Sequence, residues 1–350
     1  MSTNGTVGAV GVVGAGEWAA AVATLAAQRG TVLHRTAPPG ADAPGEPSFA
    51  DLGARARLIL LVLPSAEVRA TARVLGDYLH GGHLLVHGTR GLEPHSSAQD
   101  AETGTGAGTG DGHEGTTENG ANPPTAAAGW LRISEVLREE TPAVRLGALA
   151  GPTLAGEVKR GQPTVAVVGS RFPEVIDAVR EALAGPTFRV YGSDDLCGVE
   201  LAAALSPVVA LAAGLAAGLG LEFNTRAAVV VRGFAEMARL GASLGAKPAT
   251  FTGLAGLGDL LASAQSDASA DFRLGRALGQ GTPLAAASAA LQAEGATAEG
   301  LRMVGAVQHI AARNRVRVSL TDGLGAILAG ADPREVVRGL MTLAPMSEAG

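Results

Sequence analysis

Four short apolar runs, Val10–Val13, Thr31–Leu33, Leu58–Leu63 and Leu84–Val86, recur between residue 7 and about residue 94, with stretches of helical length between them. Each run is apolar almost throughout and no longer than a strand, the pattern of a parallel strand covered on both faces. Parallel strands need crossover connections, and Ala19–Arg29 and Ala66–Leu79 have the length and spacing to supply them. The expectation is therefore a set of βαβ units in a doubly wound α/β sheet. Leu146–Ala150, Thr164–Val168 and Phe188–Tyr191 read as further strands, and Leu131–Glu140 as a helix. Beyond about Ser193 no strand run recurs and long Ala/Leu/Gly-rich helical segments take over, so a second, all-α domain is expected. At 350 residues and 47% hydrophobic, the chain can fill two cores. With only 3% aromatics and 50 glycines, those cores must be built of Ala, Leu and Val with close backbone approaches.

Residues 95–128 differ from the rest: Gly, Thr, Ala, Ser and acids, with no large apolar side chain. This composition predicts a flexible, solvated insertion. It carries Asp100, Glu102, Asp111, Glu114 and Glu118 with no Lys or Arg, which accounts for most of the formal charge of −6. The remaining body is near neutral and has no basic stripe, which argues against a nucleic-acid partner. His113 beside Glu114 lacks any ligand spacing, and no metal site is expected. A single cysteine, Cys197, excludes an internal disulfide and suits a reducing compartment. The N-terminus lacks the basic and apolar regions of a signal peptide. The apolar run 199–221 is broken by Glu200, Ser206, Pro207 and glycines, so it reads as a buried helix rather than a membrane span. A cytoplasmic protein is the expectation.

The stretch Gly14-Ala15-Gly16-Glu17-Trp18-Ala19 leaves the first strand run and enters a helix. It fits G-x-G-x-x-G/A: Gly14 for the tight turn, Gly16 for close approach of a pyrophosphate, Ala19 for helix–strand packing. The free N–H groups of the helix start then face the phosphates. This makes residues 1–192 a Rossmann-type dinucleotide-binding domain, followed over 193–350 by the all-helical domain. At the end of the second strand run, His34-Arg35-Thr36 offers no acid before Asp42. Arg35 can fork to a 2′-phosphate, which favours NADP, with NAD as the alternative.

Further segments line up in order: Leu63-Pro64-Ser65, Gly88-Thr89-Arg90-Gly91-Leu92, Gly151-Pro152-Thr153-Leu154-Ala155-Gly156-Glu157, Arg232-Gly233-Phe234-Ala235-Glu236-Met237 and Gly253-Leu254-Ala255-Gly256-Leu257-Gly258-Asp259-Leu260. Together they resemble the NAD(P)-dependent glycerol-3-phosphate dehydrogenase family over the whole chain except the insertion. The resemblance implies a Rossmann-type domain followed by a helical one, a homodimer, and interconversion of dihydroxyacetone phosphate and sn-glycerol 3-phosphate. It places Gly14, Gly16, Glu17, Trp18, Pro64, Arg90, Ala155 and Glu294 on the cofactor side, with Arg35 added from the strand-end reading. Arg90, Gly151, Thr153, Asp259, Ser269 and Asp271 fall on the substrate side. Trp18 and Pro64 taken singly read as packing residues; it is the joint order that raises them.

The chemistry needs positive charge and a proton at the developing alkoxide, and donors for the substrate phosphate. The family supplies two lysines, an aspartate and an S-R-N triplet. Asp259 matches the aspartate. The first lysine corresponds to Arg90, which keeps the charge but is a poor proton donor. The second corresponds to Ser206, followed by Pro207. The triplet reads Ser269-Ala270-Asp271, with alanine in place of the arginine and an acid in place of the asparagine; Arg273 is the nearest substitute. Of 27 basic residues only Lys159 and Lys247 are lysines, and neither falls at a catalytic position. Two readings from different classes follow. In one, the chain is a dehydrogenase with Arg90, Asp259 and Ser206 as catalytic residues, reducing dihydroxyacetone phosphate or a related ketone or imine without phosphate; His87 reads first as a structural histidine and otherwise as a further proton source. In the other, it is a catalytically impaired nucleotide-binding module; a scaffold with no ligand is the weakest reading. Deleting residues 95–128 is expected to leave the melting temperature unchanged, and a large fall would show that the segment packs.

Overall fold

Seven strands form one sheet in the computed structural model, which describes residues 8–41, 43–95 and 129–342. In chain order the strands are β1 (Ala9–Val13), β2 (Val32–Arg35), β3 (Ala56–Leu61), β4 (Leu84–His87), β5 (Glu93–Pro94), β6 (Trp130–Leu131), β7 (Arg145–Ala150), β8 (Thr164–Gly169) and β9 (Phe188–Ser193). The sheet order is β2-β1-β3-β4-β7-β8-β9, while β5 and β6 form a separate antiparallel pair. Pairing is parallel from β2 to β7 and between β8 and β9, but β7 and β8 run antiparallel. The first four strands are parallel as expected, and the reversal falls among the later strands, for which the apolar pattern sets no direction.

The strand side chains alternate between two cores. Val10, Val12, Leu58, Leu60, Leu84 and Val86 join one face, and Val13, Ile59, Leu61, Leu85 and Leu146 the other. Both faces are dry, which is why the runs lack polar alternation. A short helix, Phe49–Arg55, precedes β3 and was not expected; Ser48 and Asp51 cap its start reciprocally. The segment between β5 and β6 is the acidic insertion. Its residues 96–128, with His113 and Glu114, lie outside the described residues, but its ends are drawn together by the Pro94↔Trp130 pairing and by His95 N–H donating to the Gly129 carbonyl at 3.0 Å.

From Leu196 to Thr342 every regular element is a helix. The helix Leu196–Gly218 is the axis of this part, and every residue of it from Leu196 to Ala216 is buried. By length and hydropathy alone it is apolar enough to cross a membrane, but its most apolar window is wholly covered by protein. One flank, through Leu196, Val199 and Ala203, packs on Ala148, Ala150 and Val167 of β7 and β8. The other meets the helix Ala270–Gly279 backbone to backbone, through Gly214 and Gly218 on one side and Gly275 and Gly279 on the other. A Cβ on Gly214 would stand 2.0 Å from the Phe272 carbonyl oxygen, and one on Gly275 would stand 2.0 Å from the Leu211 oxygen. This contact sets where the start of the second helix, Ser269–Asp271, falls.

Two carboxylates tie the helical part to the sheet part. Glu200 accepts from Ser134 N–H and Oγ, both at 2.7 Å, near the start of the helix Ile133–Glu140. Glu299 accepts from Ser65 N–H at 2.8 Å and Oγ at 2.7 Å, at the start of Ser65–Gly76. Each satisfies a free helix N–H with a remote side chain and places negative charge at the positive end of the helix. Gly275→Ala gains about 1 kcal/mol of helix propensity. A Cβ 2.0 Å from backbone must nevertheless push the helices apart, and overpacking typically costs about 1–3 kcal/mol or more. A lowered melting temperature is expected, read by thermal unfolding.

Candidate active site

The carboxyl ends of β1, β3 and β4 open into a cleft of about 800 Å³ between the sheet and the helical part. Its sheet-side wall holds Gly16, Glu17, Trp18, Pro64 and Gly88; Gly151, Thr153 and Ala155 form a second wall after β7; and Arg90, Asp259, Ser269, Asp271, Glu294 and Glu299 close the far side. An open α/β sheet binds ligands at this position, where the strand order turns outward from β1.

Gly14 adopts φ +144°, and a Cβ there would lie 2.1 Å from the Val62 carbonyl oxygen. No other residue fits that position. Gly16 is the N-cap of the helix Glu17–Ala27, and nothing stands within 4 Å of where its Cβ would be, so backbone N–H groups are open to the cleft. The cradle therefore suits a pyrophosphate. Trp18 covers the end of β4, with its indole nitrogen 3.2 Å from where a Cβ on Gly88 would sit. Glu17 is exposed and pairs with Lys159 at 3.7 Å. Thr153 Oγ1 donates to the Gly151 carbonyl at 3.2 Å, fixing the turn after β7.

Arg35 does not take the place expected of it. Its guanidinium is buried and donates to the carbonyls of Pro47, Pro38 and Ala41 at 3.1–3.4 Å, and it lies over the Phe49 ring at 4.6 Å. It holds the loop after β2 in shape and does not line the cleft. The case for NADP built on this side chain loses its basis.

At the far end Arg90 Nη2 donates to Asp259 Oδ2 at 2.6 Å, to Ser263 Oγ at 3.0 Å and to Ser206 Oγ at 3.3 Å. Ser206 is buried beneath this group and does not itself line the cleft. Pro207 next to it has no N–H to give the carbonyl of Ala203, a cleft residue. Arg90 Nε is also buried and has no hydrogen-bond partner. Burial pushes the Asp259 carboxyl above its usual range, and the Arg90 charge with the Ser206 and Ser263 hydroxyls offsets this only in part. Ser263 was not anticipated, although it sits four residues after Asp259 on one helical face.

Asp271 accepts from the Gly300 N–H at 2.7 Å through one oxygen. Burial pushes its carboxyl up to about 7; the Gly300 bond and the Arg90 charge oppose this, and Glu299 and Asp259 add to it. Ser269 Oγ is spent capping the helix by accepting from Phe272 N–H at 3.3 Å. Arg273 is paired with Glu294. Among the described residues, seven carboxylates and two guanidinium groups line the cleft, and each guanidinium carries a carboxylate partner. His87 lies outside it, with Nε2 3.1 Å from Glu200 Oε1 in a buried cluster. Burial alone would raise the Glu200 carboxyl, but the His87 hydrogen bond and the Arg132 charge outweigh it and hold the carboxyl low.

Family models match two segments: "NAD-dependent glycerol-3-phosphate dehydrogenase C-terminus" over residues 195–338 and the corresponding N-terminus model over residues 126–175. The chain is 35% identical to the glycerol-3-phosphate dehydrogenase [NAD(P)+] of Moorella thermoacetica over 91% of both chains. It is 34% identical to that of Azotobacter vinelandii, over 97% of this chain and 96% of that one. Among solved structures it superimposes on a glycerol-3-phosphate dehydrogenase from Coxiella burnetii with a TM-score of 0.79 and 27% identity, covering 97% of this chain and 100% of the other.

The raised Asp271 carboxyl predicts a pH signature. With the folded group titrating near 7 and an unfolded aspartate near 3.9, the folded state holds more protons between those values. Stability therefore falls as pH rises through that window, and the full penalty is present above about pH 7. Asp271→Asn keeps an acceptor for Gly300 and removes the titration. It is expected to raise the melting temperature at pH 8 and leave it unchanged at pH 5; parallel pH curves for the two proteins would refute the assignment.

Proposed function

Because the chain belongs to the NAD(P)-dependent glycerol-3-phosphate dehydrogenase family, we propose that it is a nicotinamide-dependent reductase whose substrate is a neutral or cationic ketone or imine without a phosphate group. One observation carries the substrate reading: Ala270 and buried Asp271 line the cleft where the resemblance puts a phosphate-gripping arginine and asparagine. A dianionic phosphate there finds both guanidinium groups of the cleft, Arg90 and Arg273, already paired with carboxylates, while Glu299 and the ionised form of Asp271 disfavour its charge. A neutral or positively charged carbonyl or iminium group meets no such barrier.

A bound nicotinamide supplies the hydride. The chain's own residues do the rest. The Gly14–Gly16 turn and the helix start behind it hold the pyrophosphate. Arg90, held by Asp259, Ser206 and Ser263, sets its guanidinium charge at the far end of the cleft, where it favours a developing oxyanion, a charge oriented before reaction. Arginine does not release its proton at neutral pH. Asp271, titrating near 7, is the cleft acid suited to supply the proton, and Glu299 and Asp259 keep its proton in place. Buried Ser206 positions Arg90, and His87 takes no part.

The test is a substrate panel, with oxidation of NADH and NADPH followed optically. Turnover of non-phosphorylated ketones or imines is expected, with dihydroxyacetone phosphate slower by ~10²-fold or more in kcat/KM, the scale of a lost acid–base group. Dihydroxyacetone phosphate reduction at an ordinary rate, on the order of tens per second, would overturn the reading. Binding of cofactor without turnover of any substrate would favour the nucleotide-binding module. The triple change Ser206→Lys, Ala270→Arg, Asp271→Asn is expected to recover part of the activity on dihydroxyacetone phosphate. No gain would mean that the pocket differs beyond these positions.

A further inference from the structure

We propose that Glu46 reads the adenosine ribose of the cofactor and selects NAD(H) over NADP(H), a reading that rests on dinucleotide binding at the Gly14–Gly16 turn. The end of β2 and that turn are bonded to each other: Gly14 N–H donates to the Arg35 carbonyl at 2.9 Å, and His34 Nε2 lies 2.9 Å from the Gly14 carbonyl oxygen. The residues just after β2 therefore stand beside the cradle, the place where folds of this kind meet the ribose.

Three donors converge there. Thr36 N–H and Ala37 N–H reach one oxygen of the Glu46 carboxylate at 2.8 and 3.1 Å, and the Thr36 hydroxyl donates to the other. Successive backbone N–H groups arranged in this way form an anion nest, and here the chain fills it with its own carboxylate. Those three bonds, together with Arg35, hold the Glu46 carboxyl below its usual range, so it carries its charge at neutral pH. The cation that a 2′-phosphate would need is Arg35, and its guanidinium is spent on three loop carbonyls and the Phe49 ring. A 2′-phosphate thus meets a fixed carboxylate in a nest already occupied. A ribose 2′-hydroxyl meets an acceptor with lone pairs to spare. The acid expected at the strand end is present, but it arrives from eleven residues beyond Arg35, returned by the loop.

Direct titration of the full chain with NADH and with NADPH, followed by nicotinamide fluorescence or calorimetry without substrate, tests this. The wild type is expected to bind NADH at least tenfold more tightly. Glu46→Gln, which keeps hydrogen-bonding capacity and removes the charge, is expected to narrow that ratio by tenfold or more, chiefly through tighter NADPH binding. Tighter NADPH binding by the wild type overturns the proposal without any variant, and so does an unchanged ratio in Glu46→Gln. Glu46→Ser gives the same comparison with the side chain withdrawn from the nest. If neither cofactor binds the wild type, the dinucleotide reading falls as well, an outcome distinct from binding with the opposite preference.

Discussion

The glycine contact between the helices Leu196–Gly218 and Ala270–Gly279 fixes more of this molecule than any other interaction. Four glycines let two backbones approach to distances at which a single methyl group would clash. One partner helix lies against β7 and β8 and carries Glu200 and Ser206; the other begins at Ser269–Asp271. Setting their separation sets the distance between the Arg90 group and the Asp271 carboxylate, and hence the shape of the cleft's far wall. A site built on a contact of this kind is preorganised by backbone, without relying on long side chains to find their places.

Charge distribution in the cleft follows from that geometry. Arg90 and Asp259 neutralise one another, so Asp271 and Glu299 are the unpaired acids of the far wall. Burial lets Asp271 shed its charge by holding a proton, whereas both oxygens of Glu299 are bonded to Ser65. An acid at position 271 thus leaves a titratable proton in the cleft.

The strands were legible from sequence because both faces of the sheet are dry, and apolar runs bounded by turns leave little ambiguity. Arg90 and Asp259 were legible from their motifs, and the structure joins them across 169 positions. Ser263 was within reach through its helical spacing from Asp259. Glu299 and Glu200 were not, since each meets a serine of another domain, 234 and 66 positions away. Arg35 was misread because a guanidinium at a strand end looks free until the loop behind it is folded. The loop's carbonyls, turned inward at Pro38, Ala41 and Pro47, then claim it. The helix Phe49–Arg55 had a visible start in Ser48-x-x-Asp51, but it is too short for periodicity to register.

The two serine latches bear on how the two parts can move. Glu200 and Glu299 each grip the amino end of a helix in the sheet domain, at separate points along the seam between the domains. Jaws pinned at two places do not swing about a single hinge. Turning one part against the other must therefore break the bonds of at least one latch and leave a buried carboxylate and a helix N–H without their partners.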